Sequence, residues 1–375
     1  MIGNKMNNPF RIIALIIIFA ALISCKKEYT LMVGGFTKKN GEKGMSVFKF
    51  NARNGDLKLL SESDVGPSPS YFCFSKKDSL FYVNNEVMQF RGSFGGGLST
   101  FRYDPMTHEF SKQNELLIPY GGPCFISMSS DSGYLFLANY PNGSVAVVKL
   151  NKRGIPESIS DTILYMKDEP DASHAHMILE DPSATHVYVT DLGLDRIVSY
   201  NFDPQKGKLL PLENGITSVP KGSGPRHFVF NKDGSKLYLI NELGSKMMVF
   251  DVLKDTGLSL VQTLPTTSEG YAMDNYCADV HISNDGQFIY GSNRGENTIV
   301  TFRIGPDGLL TLAGHSTCGG DWPRNFVIDP TGKYILVGNQ KSDYISVLRI
   351  DKKTGLPSDT INRMQVNGPA CLKFY

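Results

Sequence analysis

Short apolar runs rich in β-branched and aromatic residues recur along the chain, and each is closed by Gly, Asn or Asp. They are LMVGG ending at Gly35, FYVNN at Asn85, LFLAN at Asn139, VYVTD at Asp191, LYLIN at Asn241, IYGSN at Asn293 and ILVGN at Asn339. Subtracting those positions gives intervals of 50, 54, 52, 50, 52 and 46 residues. A run of this composition entering a turn residue predicts a strand, and a period near fifty predicts a repeat architecture.

A preceding strand is predicted in most repeats, as in GPRHFVFNKDGSKLYLIN from Gly224, ADVHISNDGQFIYGSN from Ala278 and WPRNFVIDPTGKYILVGN from Trp322. The connections KDGS, NDGQ and DPTGK are hairpin turns by their Asp-Gly and Asp-Pro-x-Gly punctuation. A third strand follows each ending (GSVAVVKL, DRIVSYNF, SKMMVFDV, NTIVTFRI, DYISVLRI), and a fourth follows a Gly turn, as in DGLLTLAG. Four antiparallel strands, repeated seven times, predict an all-β, seven-bladed β-propeller. The C-terminal GPACLKFY matches a first strand with nothing after it, and TLMVGG matches a second strand with nothing before it. The ring is therefore expected to close by pairing of the N- and C-terminal strands, which hides the open edges. One domain is expected over residues 26–375.

The first 25 residues are set apart. Lys5 and Arg11 precede an apolar run from Ile12 to Ile23, and the segment ends Leu22-Ile23-Ser24-Cys25. A run of this length is short for a bilayer span and suits the apolar region of an export signal. The ending resembles a lipobox, which makes Cys25 the expected lipidation site. The expectation is an exported lipoprotein, held to the membrane by its lipid and facing the periplasm or cell surface; the alternative is an uncleaved anchor helix. The remaining Cys73, Cys124, Cys277, Cys318 and Cys371 show no metal spacing, and their odd number argues against a disulfide framework. Cys73, Cys124 and Cys371 lie in apolar strands and read as small buried hydrophobes. A formal charge of +1, with no Lys/Arg-rich block, gives no reason to expect nucleic acid as a partner.

Charged residues flanked by apolar strands are the places to look for chemistry. Arg226 in GPRH stands at the entry to a first strand. Glu242 in NEL directly follows the second strand of the same repeat, and Arg294 in NRG holds that position one repeat on. Tyr140 and Leu192 occupy the equivalent places elsewhere, so the charges are not part of the repeat itself. His176, the second His of HAH, stands at the entry position one repeat before Arg226. Arg324 in WPRN and Gln340 in GNQ continue the pattern, and with His174, His227 and Asn293 they are candidate substrate contacts. Glu86 has the post-strand position too, without an Arg motif. A scaffold reading stands beside these: Asn139, Asn241, Asn293 and Asn339 as turn caps, and His227 packed behind the site. Asp191, Asn241, Glu242 and Asn293 could offer oxygens to calcium. Two Arg beside one carboxylate disfavour a divalent ion, so neither metal nor cofactor is expected. No GxSxG elbow or zinc spacing is present, and Gly95–Gly97 lacks the strand–helix context of a phosphate loop.

The runs GPCFISMSSDSGYLFLANYPNGSVAVVKL, HAHMILEDPSATHVYVTDLGLDRIVSY and GPRHFVFNKDGSKLYLINELGS, with the two that follow them, resemble the seven-bladed-propeller lactonase family. It includes bacterial 6-phosphogluconolactonases and the fungal carboxymuconate lactonising enzyme. The resemblance covers residues 30–375 and rests on HAH, DLG-D, GPRH, NEL, NRG and NQ-SD in combination. It implies a small anionic or sugar lactone as partner and a site at His176, Arg226, Glu242 and Arg294. Glu242 would take a proton from water or orient it, the two Arg would hold the oxyanion and the substrate's anionic group, and His176 would pass a proton to the ring oxygen. A carboxylate between two Arg has a depressed pKa and is a weak base, which favours orientation. Lactonising chemistry of the muconate kind and a non-enzymatic binding propeller are the alternatives. An export signal directs attention from phosphorylated lactones, made in the cytoplasm, to unphosphorylated ones.

Overall fold

The computed structural model describes residues 27–39, 41–165, 172–253 and 257–375. Cys25 and the export segment lie outside them. The strands form seven four-stranded antiparallel sheets, as predicted, and one small two-stranded hairpin. Blade 1 consists of Glu28–Gly35, Met45–Asn51 and Asp56–Ser63, with the C-terminal Pro369–Phe374 as its innermost strand. Blades 2 to 7 follow in chain order over residues 71–118, 123–164, 175–218, 225–265, 276–317 and 323–365. Closure is by antiparallel pairing of Met32 with Lys373, Val33 with Leu372 and Gly34 with Cys371.

Position in the blade explains the patterning. Second strands such as Tyr134–Asn139 are buried at every residue, because blades cover both faces, and so read as unbroken apolar runs. Outermost strands alternate between half-buried and exposed, as in Pro357–Gln365. Second-strand tyrosines stitch neighbouring blades: the hydroxyls of Tyr82, Tyr134, Tyr238 and Tyr290 donate to the carbonyls of Gly154, Pro204, Gly308 and Gly355 at 2.7–2.9 Å. Each tyrosine thus buries its ring between blades and still satisfies its hydroxyl. The five described cysteines are free and buried, and burial pushes the Cys73 thiol up to about 12. The longest interval, from Asn85 to Asn139, contains the extra hairpin, Gln89–Phe90 with Ser93–Phe94.

One irregularity matters for function. In blades 3, 4, 5 and 7 the register of the innermost strand skips one residue near its start: Cys124, His176, Arg226 and Arg324. Blade 1 skips Ala370, and blade 6 skips Ala278 and Asp279. A bulge re-aims the unpaired residue's side chain. Here it does so at the same height around the ring.

Candidate active site

Two rings of positions meet at one mouth of the central channel. The first is the bulged residue of the innermost strand in every blade except the second, whose register is unbroken. The second is the residue following each second strand: Phe36, Glu86, Tyr140, Leu192, Glu242, Arg294 and Gln340. Backbone bonds fix this second ring. The N–H of Glu86 donates to Ser68 at 3.0 Å, that of Tyr140 to Gly122 at 3.1 Å, that of Glu242 to Gly224 at 2.7 Å and that of Gln340 to Trp322 at 3.0 Å. Gly224 has φ +63°, which glycine adopts without strain, and a Cβ would stand 2.7 Å from Leu243 Cγ; in blade 7 Trp322 holds the same place at φ +65°.

Sequence-distant charges converge at this mouth. Glu242 Oε2 lies 2.8 Å from Arg226 Nε and 2.9 Å from Arg294 Nη2. Arg226 is buried, and its Nη1 donates to the Ala278 carbonyl of the next blade. Arg294 donates from Nε to Tyr276 O and from Nη2 to Cys277 O, both at 3.0 Å, and its guanidinium lies 5.3 Å from the Trp322 ring centre. Burial and the nearby Arg226 lower the Arg294 pKa to about 9, against the pull of Glu242. Burial pushes the Glu242 carboxyl upward, but Arg294, Arg226 and Arg324 outweigh it, so Glu242 stays ionised. Arg324 covers the Phe36 ring at 4.9 Å and approaches Glu86 Oε2 at 4.0 Å. Burial, then Arg226, lowers its pKa.

His176 is buried with no partner for Nδ1, and its ring meets those of Tyr140 and His227 edge-on at 5.6 and 5.1 Å. Burial, Arg226 and His227 hold it far below the usual imidazole range, so it is neutral. His174 stacks on Tyr140 with centroids 4.6 Å apart, and its Nδ1 lies 3.1 Å from Tyr140 O. Gln340 brings a buried Oε1 with no partner.

Two expected substrate contacts stand elsewhere. Asn293 is fully buried; its amide donates to Thr266 O at 2.7 Å and Thr298 Oγ1 at 3.0 Å, and its Oδ1 accepts from Asn275 at 3.2 Å. Its amide is satisfied within the blade, as the turn-cap reading expects. His227, one step further along the strand than Arg226, gives Nδ1 to Asp279 at 2.8 Å. Burial and Arg226 lower its pKa to about 4. It packs beneath the mouth against Phe125 and Tyr71. Asp279 also holds His281 Nε2 at 2.9 Å and Asn325 Nδ2. Burial pushes the Asp279 carboxyl up, but its two His partners win and keep it ionised. Asp279 was not singled out from the sequence, although an acidic residue within the apolar CADV run is itself a signal. Of the oxygens weighed for calcium, those of Asp191 are used by Ser173, the His174 N–H and Arg196, whereas Asn241 donates its amide nitrogen to Lys246 O and keeps a buried Oδ1 with no partner. Among the described residues, no group of three or more His, Cys, Asp or Glu is set to hold a metal ion.

The site thus brings together three guanidiniums and two carboxyls with a neutral imidazole, a set of groups that can bind an anion and stabilise developing negative charge. Residues 30–374 match the family described as lactonase, 7-bladed beta-propeller. A 6-phosphogluconolactonase of Formosa agariphila is 32% identical over 92% of this chain and 99% of its own length. A 6-phosphogluconolactonase of Bacillus subtilis is 26% identical over 92% and 98%. Among solved structures, the periplasmic gluconolactonase of Pseudomonas aeruginosa superposes with a TM-score of 0.87 at 30% identity, over 92% of this chain and 99% of that one.

Proposed function

Since the chain belongs to the seven-bladed β-propeller lactonase family, we propose that it opens a sugar-type lactone by activating water at the channel mouth, with the arginines stabilising the oxyanion. The observation that carries this reading is Glu242 clamped between Arg226 and Arg294. In this reading the lactone carbonyl faces Arg226 and Arg294, and Arg324 takes a substrate hydroxyl or anionic group. Glu242, held ionised, orients the attacking water rather than carrying off its proton, because its charge is stabilised by both neighbours. His176 is neutral and has a nitrogen with no partner, which removes it from the imidazolium-donor role; its lowered pKa makes it a weak base at rest, so it accepts the water's proton only as charge develops in the transition state. The developing oxyanion and Glu242 offset the charge it gains.

The substrate class follows from where the protein would work. The N-terminal segment reads as an export signal with lipidation at Cys25, and the Pseudomonas aeruginosa relative is a periplasmic gluconolactonase. The segment is the basis for reading an exported lipoprotein, and the relative's name supports an unphosphorylated aldonolactone as substrate. The test is acid release by the form lacking residues 1–25, with glucono-δ-lactone and 6-phosphogluconolactone in competition and spontaneous opening subtracted. A preference for glucono-δ-lactone supports the reading; a strong preference for the phosphorylated lactone would reassign the substrate and the location.

A further inference from the structure

Glu86 holds in blade 2 the place that Glu242 holds in blade 5, fixed by the same backbone bond to the residue ahead of the blade. Their surroundings differ. Glu242 is gripped by two guanidiniums within 2.9 Å. Glu86 Oε2 is buried with no hydrogen-bond partner, and Arg324, its closest cation, stands off at 4.0 Å. The side chain as a whole remains 21% exposed, at the channel mouth. The groups facing it are Arg324 of blade 7, Arg226 of blade 5, Cys124 of blade 3 and Ser70 of its own blade.

Resting on the lactonase reading above, we propose that Glu86 is the catalytic acid that protonates the ring oxygen as the lactone opens. Water's oxygen bonds to the acyl carbon and its proton goes to His176. The acyl–oxygen bond breaks, the electron pair stays on the ring oxygen, and Glu86 gives that oxygen its proton. His176 then releases its proton to solvent, Glu86 takes one up from solvent, and the product acid ionises. Burial raises the Glu86 carboxyl, against the opposing pull of Arg324, Ser70 and Arg226, while Glu242 is lowered. Two carboxyls in one site with their pKa values driven apart divide the acid and stabilising roles between them.

The experiment compares wild type and Glu86→Gln on two lactones and by infrared spectroscopy. Glucono-δ-lactone leaves as an alkoxide and needs the proton; dihydrocoumarin leaves as a phenolate, with a pKa of about 10, and does not. The expected result is a kcat loss of about 100-fold or more on the sugar lactone and little change on the aryl lactone. Wild type should also show a protonated-carboxyl band at neutral pH that is absent from the variant. Equal losses on both lactones, no loss on either, or no such band would overturn the proposal. If wild type turns over neither lactone, the lactonase reading itself fails, and the infrared band still decides whether Glu86 carries the proton.

Discussion

Replacing Glu242 by Gln removes one charge from the centre of the site and leaves its shape. The carboxylate lies 2.8 Å from Arg226 and 2.9 Å from Arg294, and both guanidiniums are buried. Removing one partner of a buried ion pair typically costs about 3–5 kcal/mol. Here the cost is reduced, because Arg226 keeps Ala278 O, Arg294 keeps Tyr276 O and Cys277 O, and the amide oxygen of Gln can still accept. We expect a loss of about 2–3 kcal/mol on that scale. It would be read as a lower urea midpoint at pH 7 with an unchanged denaturant slope. A variant as stable as wild type would refute this account of the Arg–Glu–Arg cluster.

Three further outcomes are expected. Asn293→Ala should lower stability by about 1–3 kcal/mol, because it leaves buried groups unpaired, while KM for the lactone stays unchanged; a raised KM would restore it as a substrate contact. His176 and His227 have folded pKa values below the unfolded value of about 6.5. Their neutral forms therefore contribute stability that is fully present above about pH 6.5 and is lost as pH falls toward the His227 value of about 4. Denaturation midpoints measured from pH 8 to 4 should fall across that window, and a flat profile would contradict the burial argument. Deleting residues 369–375 removes the innermost strand of blade 1 and bares the edge of Glu28–Gly35. The product should aggregate on size-exclusion chromatography, and a folded monomer would show that closure is dispensable.

The fold was legible because each blade repeats the same local bargain: an apolar second strand buried on both faces, then a small polar residue capping the turn. The charged site residues stood out for the converse reason. Glu242 and Arg294 hold positions where other blades carry Tyr140 and Leu192. Asn293 misled because its neighbour Arg294 faces the mouth while its own amide turns into the blade, a one-residue difference that strand alternation makes decisive. The proximity of Glu86 to Arg324 was not legible, since the two sit on blades 2 and 7 and meet only once the ring closes. Asp279 was hidden for a related reason. Its partners His227 and Asn325 lie on the blades to either side, and the bulge around it breaks the alternation that would have marked its direction.

The central claim is that the arginine-lined mouth opens lactones. The most direct measurement is the rate of glucono-δ-lactone opening by the form lacking residues 1–25, compared with Arg226→Met under identical buffer, with folding of both checked by circular dichroism. The account predicts a wild-type rate well above spontaneous opening and a loss of about 100- to 1,000-fold in kcat for the variant, the scale for removing one oxyanion donor. A wild-type rate equal to background, or a folded variant that works as fast as wild type, would contradict it.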